Sequence, residues 1–512
     1  MTVVDEPGKI ESEKLPAGWA EVELADIVLN VSDEADPKKV DCQYIGLEHI
    51  GKASGRIIGE GSSSEVTSTK TRFQPGDVLY GKLRPYLNKV ALAGFPGICS
   101  TDILALRPLP SIHPGFVQYR LLTREFVDYA SLRVNGVQHP RIDAKKVGQF
   151  SFLLPPLAEQ TRIVAKIEEL FSKLDAGVAE LKRTQALLKR YRQSVLHAAV
   201  TGELSRAWRE AQGGELEDAG ALLARILEAR RAKWAASGKR GQYKEPQGPD
   251  VAGLPELPSR WVWASVEQLA DQVQYGSSAK TNESGEGIPI YRMGNIINGE
   301  LISSGFKYLP TNHDEFPSLF LQAGDILFNR TNSAELVGKC ALYSGYPPIA
   351  SFASYLIRLR VNLSVKAELV VYYINSPLGR AWVKSVATQQ VGQANVNGSK
   401  LQELAFRLPP LAEQSYIVSE VERRLSILAN VEATVQAELK RAESTRQGIL
   451  RRAFSGQLVP QDAADEPASV LLERIKAEKL AAGAASIRAG GKRGRGRKTA
   501  TQEALLDLPP SP

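Results

Sequence analysis

Between Gln389 and Asn397 the chain gathers five carboxamides, Gln389, Gln390, Gln393, Asn395 and Asn397, within nine residues. A carboxamide carries a donor beside an acceptor, which suits it to hydrogen-bonding rather than covalent chemistry, and it is also an ordinary turn former. No catalytic constellation competes with this cluster. Cys42, Cys99 and Cys340 share no close spacing, and His49, His113 and His313 have no Cys or carboxylate set around them, so structural or surface roles are expected and no metal site. An adenine methyltransferase would carry an Asn/Asp-Pro-Pro-Tyr/Phe tetrad and a Gly-rich cofactor loop. The nearest string, Gly345 to Ile349, has its tyrosine on the wrong side, and no GxxxxGK[ST] run exists for ATP.

The elements that must position such side chains repeat. Leu154 to Gln160 read LPPLAEQ, and Leu408 to Gln414 read LPPLAEQ again, 254 residues later in a chain of 512. The match runs on without a gap for about 50 residues, pairing Ile163 with Ile417, Leu174 with Leu428 and Gly202 with Gly456, as expected of rigid elements of fixed length. Ile163, Ile167, Leu170, Leu174, Gly177, Leu181, Thr184, Leu188, Tyr191, Val195 and Ala198 step by four and three, the spacing of a coiled-coil seam. The second copy keeps it through Ile417, Val421, Leu428, Val431, Val435, Ala442 and Ile449, broken at Arg424 and Glu438. The Pro-Pro pair suits a helix start, and Glu159 or Glu413 then falls near the positive end of the dipole. Each helix of about 40 residues would be ~60 Å long. Each seam needs a partner: the other helix, folded back antiparallel within the chain, or a second molecule.

Ahead of each helix lies a segment of short β-like runs punctuated by Gly, Pro, Asn and Ser. The first opens LPAGW at Leu15 and the second LPSRW at Leu257. Gly76 to Leu79 correspond to Gly324 to Leu327, and Lys89 to Leu92 to Lys339 to Leu342, at an offset that drifts while the signals keep their order. A shared scaffold with divergent loops suits two recognition domains with different ligands, or a duplicated structural domain. After each helix come a short amphipathic helix, through Leu222, Leu223, Ile226 and Leu227 or Leu471, Leu472 and Ile475, and a GKRG string.

Hydrophobic content of 43% can fill several cores. The start is polar and acidic and no long apolar run follows, so no export or membrane-spanning signal is visible, and three unspaced cysteines fit a reducing cytoplasm. The net charge of +7 would suit a nucleic acid, yet +4 of it lies between Ser486 and Pro512. There KRGRGRK, Lys492 to Lys498, resembles a minor-groove Arg-Gly-Arg element and equally a solvated tail.

LPPLAEQ followed by a heptad helix, twice, each behind a variable globule opening LPxxW, resembles the specificity subunit of Type I restriction-modification systems. KLRPYLNKVAL, NRTNSAELVGKCAL and YKEPQGPDVAGLPELPSRW support it, and the resemblance covers almost the whole chain. It implies an α+β fold, with two pseudo-repeated target-recognition globules separated by a long antiparallel two-helix coiled coil. The expected layout is a tail at 1–14, recognition domain one at 15–154, spacer helix one at 155–204, and a short helix and Pro/Gly-rich linker at 205–256. Recognition domain two follows at 257–408, spacer helix two at 409–460, a short helix at 461–485 and the basic tail at 486–512.

The resemblance further implies a non-catalytic reader of double-stranded DNA that recognises an asymmetric bipartite target, one half per globule. Two modification subunits carrying S-adenosylmethionine and two motor-nuclease subunits using ATP and Mg would dock on it, so the chain itself holds no cofactor. Two different domains fit an asymmetric target where identical halves would demand a palindrome, and ~60 Å approaches two turns of B-DNA. Base reading uses Arg, Lys, Asn, Gln, Ser or Thr on groove-facing loops. The candidates in the first globule are Lys70, Arg72, Lys82, Arg84, Tyr86, Asn88, Gln138, His139 and Arg141. In the second they are Arg292, Asn295, Asn329, Arg330, Thr331, Asn332, Gln389, Gln390, Gln393, Asn395 and Asn397. The competing reading is a stand-alone DNA-binding regulator without enzymatic partners.

Overall fold

Each LPPLAEQ string ends a strand and starts a helix. Leu154 closes the strand Ser151–Leu154, which pairs antiparallel with Ala20–Glu23, and Leu408 closes Ala405–Leu408, which pairs with Val262–Ser265. The prolines carry no N–H and fix φ, so pairing stops there. Helices run from the next residue, Leu157–Thr201 and Leu411–Phe454, the latter with Arg451 and Arg452 complementing the dipole in its last turn. The computed structural model describes residues 16–212, 216–238, 240–390 and 392–477, with Gln390 described by its backbone alone. The expected N-terminal tail at 1–14, the basic tail at 486–512 and the end of the short helix at 461–485 lie outside these residues.

The chain divides into two compact units, one made of residues up to Leu181 together with those from Ala437 onward, the other of Lys182–Gln436. Both long helices therefore belong partly to each unit. In the first unit, Ile163, Val164, Ile167 and Phe171 from the start of one helix share a core with Leu450 and Ala453 from the end of the other. Phe454 meets Phe116 edge-on at 5.2 Å, and helical residues 468–477 add Leu471, Leu472 and Ile475 to the same core. The second unit mirrors this: Val195, Leu196, Ala199 and Val200 pack with Ile417, Val418 and Val421, and Ala219–Ala236 adds Leu222 and Ile226. Within each unit the helix segments are thus antiparallel partners. The seam departs from its heptads at Tyr191, 47% exposed, and Val431, 40% exposed.

Each globule is built on a four-stranded antiparallel sheet. In the first unit the order is Val28–Asn30, Ile103–Pro108, Val78–Gly81, Val90–Leu92; in the second it is Ala270–Tyr275, Leu356–Val361, Ile326–Asn329, Cys340–Leu342. The outer part differs. The first unit has a five-stranded sheet in which Lys70–Phe73 is an inner strand, whereas the second has three strands, Lys307–Leu309, Ile288–Tyr291 and Ser351–Phe352. One parallel pairing is common to both, Gln43–Ile45 with Gly97–Cys99 and Ile288–Tyr291 with Ser351–Phe352. In each unit two helices, Pro114–Leu121 and Arg124–Leu132 or Ala367–Asn375 and Pro377–Val386, contribute to the core of the four-stranded sheet.

The repeat also fixes which polar groups go inside. Asp77 is held by both Nε and Nη2 of Arg107 at 2.7 and 2.8 Å, and Asp325 in the same way by Arg360 at 2.6 and 2.7 Å. Gln160 accepts from His113 N at 3.0 Å and donates to Pro155 O at 3.0 Å; Gln414 does the same with Lys366 N and Pro409 O. The indole N–H of Trp19 donates to Glu159 at 2.9 Å, and that of Trp261 to Glu413 at 2.8 Å. The Trp of LPxxW and the Glu of LPPLAEQ, 140 and 152 residues apart, are thus one buried contact made twice.

Candidate nucleic-acid interface

At one edge of each globule three short backbone stretches form a small antiparallel ribbon. In the first unit Arg141 bridges to both Leu83 and Asn135, and Ile142 N donates to Lys82 O at 3.1 Å. In the second, Thr331–Asn332 pairs with Gln393–Asn395, which pairs with Thr388–Gln390, and Val396 N donates to Arg330 O at 2.9 Å. Lys82 N and Arg330 N each reach across to a further loop, at Asp102 O and Tyr355 O. These bonds equate Lys82 with Arg330, Leu83 with Thr331, Arg84 with Asn332, Arg141 with Asn395 and His139 with Gln393. The two ribbons share a backbone and differ in nearly every side chain.

The candidate residues divide by what holds them. Arg84, in a left-handed conformation at φ 53°, gives its N–H to Pro140 O, and its exposed side chain has no partner among the described residues. Exposed Gln138 and His139, half-buried Lys82 and half-exposed Tyr86 are likewise unengaged at the side chain. Beside them Val137 projects at 98% exposure. Arg141 instead forks onto Asp102 at 3.0 and 3.3 Å. Across the second ribbon, Gln389 and Gln393 are exposed and unengaged among the described residues, while Asn395 donates to Thr331 Oγ1 at 2.7 Å. Asn332 bonds Met293 and accepts from Ser333 N, and the Arg330 guanidinium lies 4.7 Å from the Tyr275 ring centre. Asn397 caps the helix Gly398–Glu403 by accepting from Lys400 N at 2.9 Å.

Four candidates are interior. Lys70 is buried and donates to Ser68 O and Oγ at 2.9 and 2.6 Å; Asn88 is buried with its amide on Leu122 O. Asn295 holds the loop of Ile302 and Ser304 through two carbonyls, and Asn329 donates to Leu336 O. Arg72 lies on the inner strand Lys70–Phe73, which has no counterpart in the second unit, and faces Asp33 at 3.7 Å. Nothing brings it to the ribbon.

In the second unit the ribbon borders a cleft of about 830 Å³ lined by Arg292, Asn295, Asn329, Asn332, Lys307 and Lys339, with hydroxyls from Ser277, Ser278, Thr281 and Ser304. Arg292 spans it by donating to Gly305 O at 2.9 Å. Lys307, Lys339 and Tyr355 escape a search by composition because each stands alone in sequence. Folding collects them. Among the described residues no group of three His, Cys, Asp or Glu could hold a metal ion, and no helix is long and apolar enough to cross a membrane.

The model of the Type I restriction modification DNA specificity domain matches twice, over residues 16–183 and 260–441. The chain belongs to this family. Its two family segments contain the two ribbons and both copies of LPPLAEQ. Relatives include the specificity subunit of the Type I restriction enzyme EcoKI of Escherichia coli (strain K12), 26% identical over 92% of this chain and 97% of that one. The StySPI specificity subunit of Salmonella potsdam is 24% identical over the same shares. A chain solved in work on complex assembly and conformational transition of the type I R-M system shares the fold at a TM-score of 0.60 and 20% identity, covering 87% of this chain and 99% of that one.

Proposed function

We propose that this chain is the DNA-reading, non-catalytic specificity subunit of a Type I restriction-modification complex. Each ribbon reads one half of an asymmetric bipartite target, and partner subunits supply S-adenosylmethionine-dependent methylation and ATP-dependent cleavage. The observation that carries the reading is the pair of equivalent ribbons with different side chains. The major groove, where base edges differ in donor and acceptor pattern, admits two paired strands, such as Thr388–Gln390 with Gln393–Asn395. Among the candidates, the side chains left without a protein partner are the ones able to meet a base at no cost in broken internal bonds. Among the described residues these are Lys82, Arg84, Tyr86, Gln138 and His139 in the first unit, and Gln389 and Gln393 in the second. Arg84 suits guanine O6 and N7, Gln393 suits adenine N6 and N7, and Val137 offers an apolar contact to a thymine methyl.

The locked residues have a different task. Arg141 on Asp102 and Asn395 on Thr331 stiffen the ribbons, so the reading side chains are presented on a fixed backbone. Two modification and two motor-nuclease subunits complete the assembly, and the long helices that join the units set the separation of the half-sites.

Single-molecule sequencing of methylated adenines, in cells carrying the complete system with and without this gene, tests the reading. A bipartite motif that disappears with the gene is expected. Replacing residues 15–154 by another recognition domain should then alter one half of that motif. Methylation that persists without the gene, or a swap that alters both halves, sinks the proposal. A stand-alone regulator would leave adenine methylation untouched.

A further inference from the structure

Lys89 and Lys339 occupy the same place in the two sheets. Each offers its carbonyl to the N–H of the residue at the end of the neighbouring strand, Gly81 at 2.9 Å or Asn329 at 2.8 Å, and each precedes an edge strand, Val90–Leu92 or Cys340–Leu342. Their side chains differ in fate. The Lys89 ammonium donates to Leu47 O at 2.5 Å. The Lys339 ammonium has no partner among the described residues, although the side chain is half-buried in the cleft beside the second ribbon.

Its surroundings are cationic. Burial disfavours the charged form of Lys339, and Arg380 and Lys189, the latter on the first long helix, add to this; Glu335 opposes them. Arg380 is spent on backbone carbonyls, Val337 O at 2.6 Å and Glu335 O at 3.0 Å, and forms no ion pair. Lys189 forms none either among the described residues. A half-desolvated ammonium without an acceptor, repelled by two like charges, costs folding free energy that an incoming anion would return. The cleft also offers Ser277, Ser278, Thr281 and Ser304 hydroxyls, and it shares Asn332 with the ribbon.

We infer that this cleft is an anion seat in which Lys339 takes a single phosphate of the DNA backbone flanking the second half-site. The inference rests on the DNA-reading function proposed above. A phosphate is favoured over a carboxylate of a partner protein because the seat abuts the ribbon, and a strand read in the groove there must carry its phosphates past the same wall. The equivalent lysine of the first unit, Lys89, is internally bonded and offers no free ammonium for such a seat.

The test uses the assembled modification complex on its own target duplex, with affinity followed against salt. Each phosphate neutralised contributes about 0.9 to the slope of log affinity against log salt. Lys339→Ala should lower that slope by about one and weaken binding, with the methylated sequence unchanged, and Lys339→Arg should restore the slope. Lys89→Gln should leave it unchanged. On the wild-type complex, one methylphosphonate in the second half-site should reproduce the loss, and it should cost Lys339→Ala nothing further. An unchanged slope in Lys339→Ala, a changed base preference, or a scan with no sensitive phosphate in that half-site overturns the seat. So does loss of partner-subunit assembly with a normal slope, which would mark a protein carboxylate as the occupant. If the wild-type complex itself shows no sequence preference, the function fails rather than the seat alone.

Discussion

Glu159 and Glu413 are the same residue of the same motif, yet exchanging each for Gln should have opposite consequences. Glu413 is fully buried, and its Oε2 accepts from Trp261 while Oε1 accepts from Ser205 Oγ at 2.6 Å and Arg209 at 2.5 Å. The positions equivalent to Ser205 and Arg209 at the repeat offset are Val459 and Ala463, which have nothing to donate. Glu159 therefore keeps only Trp19; its Oε1 is buried without a partner, and burial raises its pKa above the ordinary 4.5 despite that hydrogen bond and nearby Arg162. Glu413→Gln leaves Arg209, 13% exposed, facing a neutral group; breaking such a buried pair costs about 3–5 kcal/mol. For a unit of this size that lowers the midpoint by roughly 10 °C. Glu159→Gln removes a charge that burial already disfavours and leaves an unpartnered amide NH2 in place of the orphaned oxygen, so the change should be neutral or stabilising. A carboxyl whose folded pKa is raised favours folding below 4.5 and loses that contribution as pH rises through the folded value, so Glu159→Gln should gain most at pH 7 and little near pH 4. Calorimetry of the full chain, with hydrogen exchange followed separately in peptides around residues 159 and 413, measures both. Equal destabilisation by the two substitutions, or a Glu159→Gln gain that grows toward pH 4, would refute the argument.

Arg84→Ala should relax the first half-site at one base pair by about 1–3 kcal/mol while sparing the second, read as methylation of singly altered duplexes. Asp175 bridges Arg56 of the first globule, at 2.7 Å, and Arg446 of the second long helix, so Asp175→Asn should raise hydrogen exchange around residue 56 and cost about 1–3 kcal/mol in the first unit only. Asp325→Asn should destabilise the second unit by about 3–5 kcal/mol, since Arg360 would lose its counter-charge and one of its two bonds and would face an amide NH2 instead; urea unfolding checks it. At Gly379 an added Cβ would stand 2.3 Å from Tyr373 O and 2.4 Å from Ile374 O, so Gly379→Ala should fail to give soluble protein where Gly294→Ala, with open space, succeeds.

The architecture was legible because the motif that repeats is made of groups with buried work. Glu and Gln of LPPLAEQ each find a distant partner, Trp19 or Trp261 and His113 N or Lys366 N, and a residue type that serves such a contact stands in both copies. Periodicity likewise exposed the helices, because a 3.6-residue turn writes itself into the spacing of apolar residues. It placed Tyr191 and Val431 on the seam, where the structure leaves them exposed, because a helix turns slightly past its heptads over so long a run. The interface was legible only by residue type. Composition cannot distinguish Gln393, which has no side-chain partner among the described residues, from Asn395 two residues on, which is tied to Thr331 from 64 residues away. Nor can it show that Lys70, Asn88, Asn295 and Asn329 are enclosed, since each is enclosed by contacts that exist only after folding. Lys339 was visible as the partner of Lys89 in the repeat, but the difference between them is one carbonyl, Leu47 O.

The first unit is assembled from the two extremes of the described chain, with Ala468 N bonded to Gly18 O at 2.8 Å and Leu450, Leu471 and Ile475 in its core. The second unit is one uninterrupted stretch, Lys182–Gln436. On a ribosome adding about 5–20 residues per second, the second unit can close as it emerges, whereas the earlier-made globule must wait for the whole of the second to be synthesised, on the order of 10–50 s. Its apolar surface, including Ile163, Ile167 and Phe116, stands open for that interval. Nascent chains arrested so that residue 436 has left the ribosome while residues 450–477 have not should therefore show a protease-resistant second unit beside a first unit that is still cleaved, the reverse of their order of synthesis.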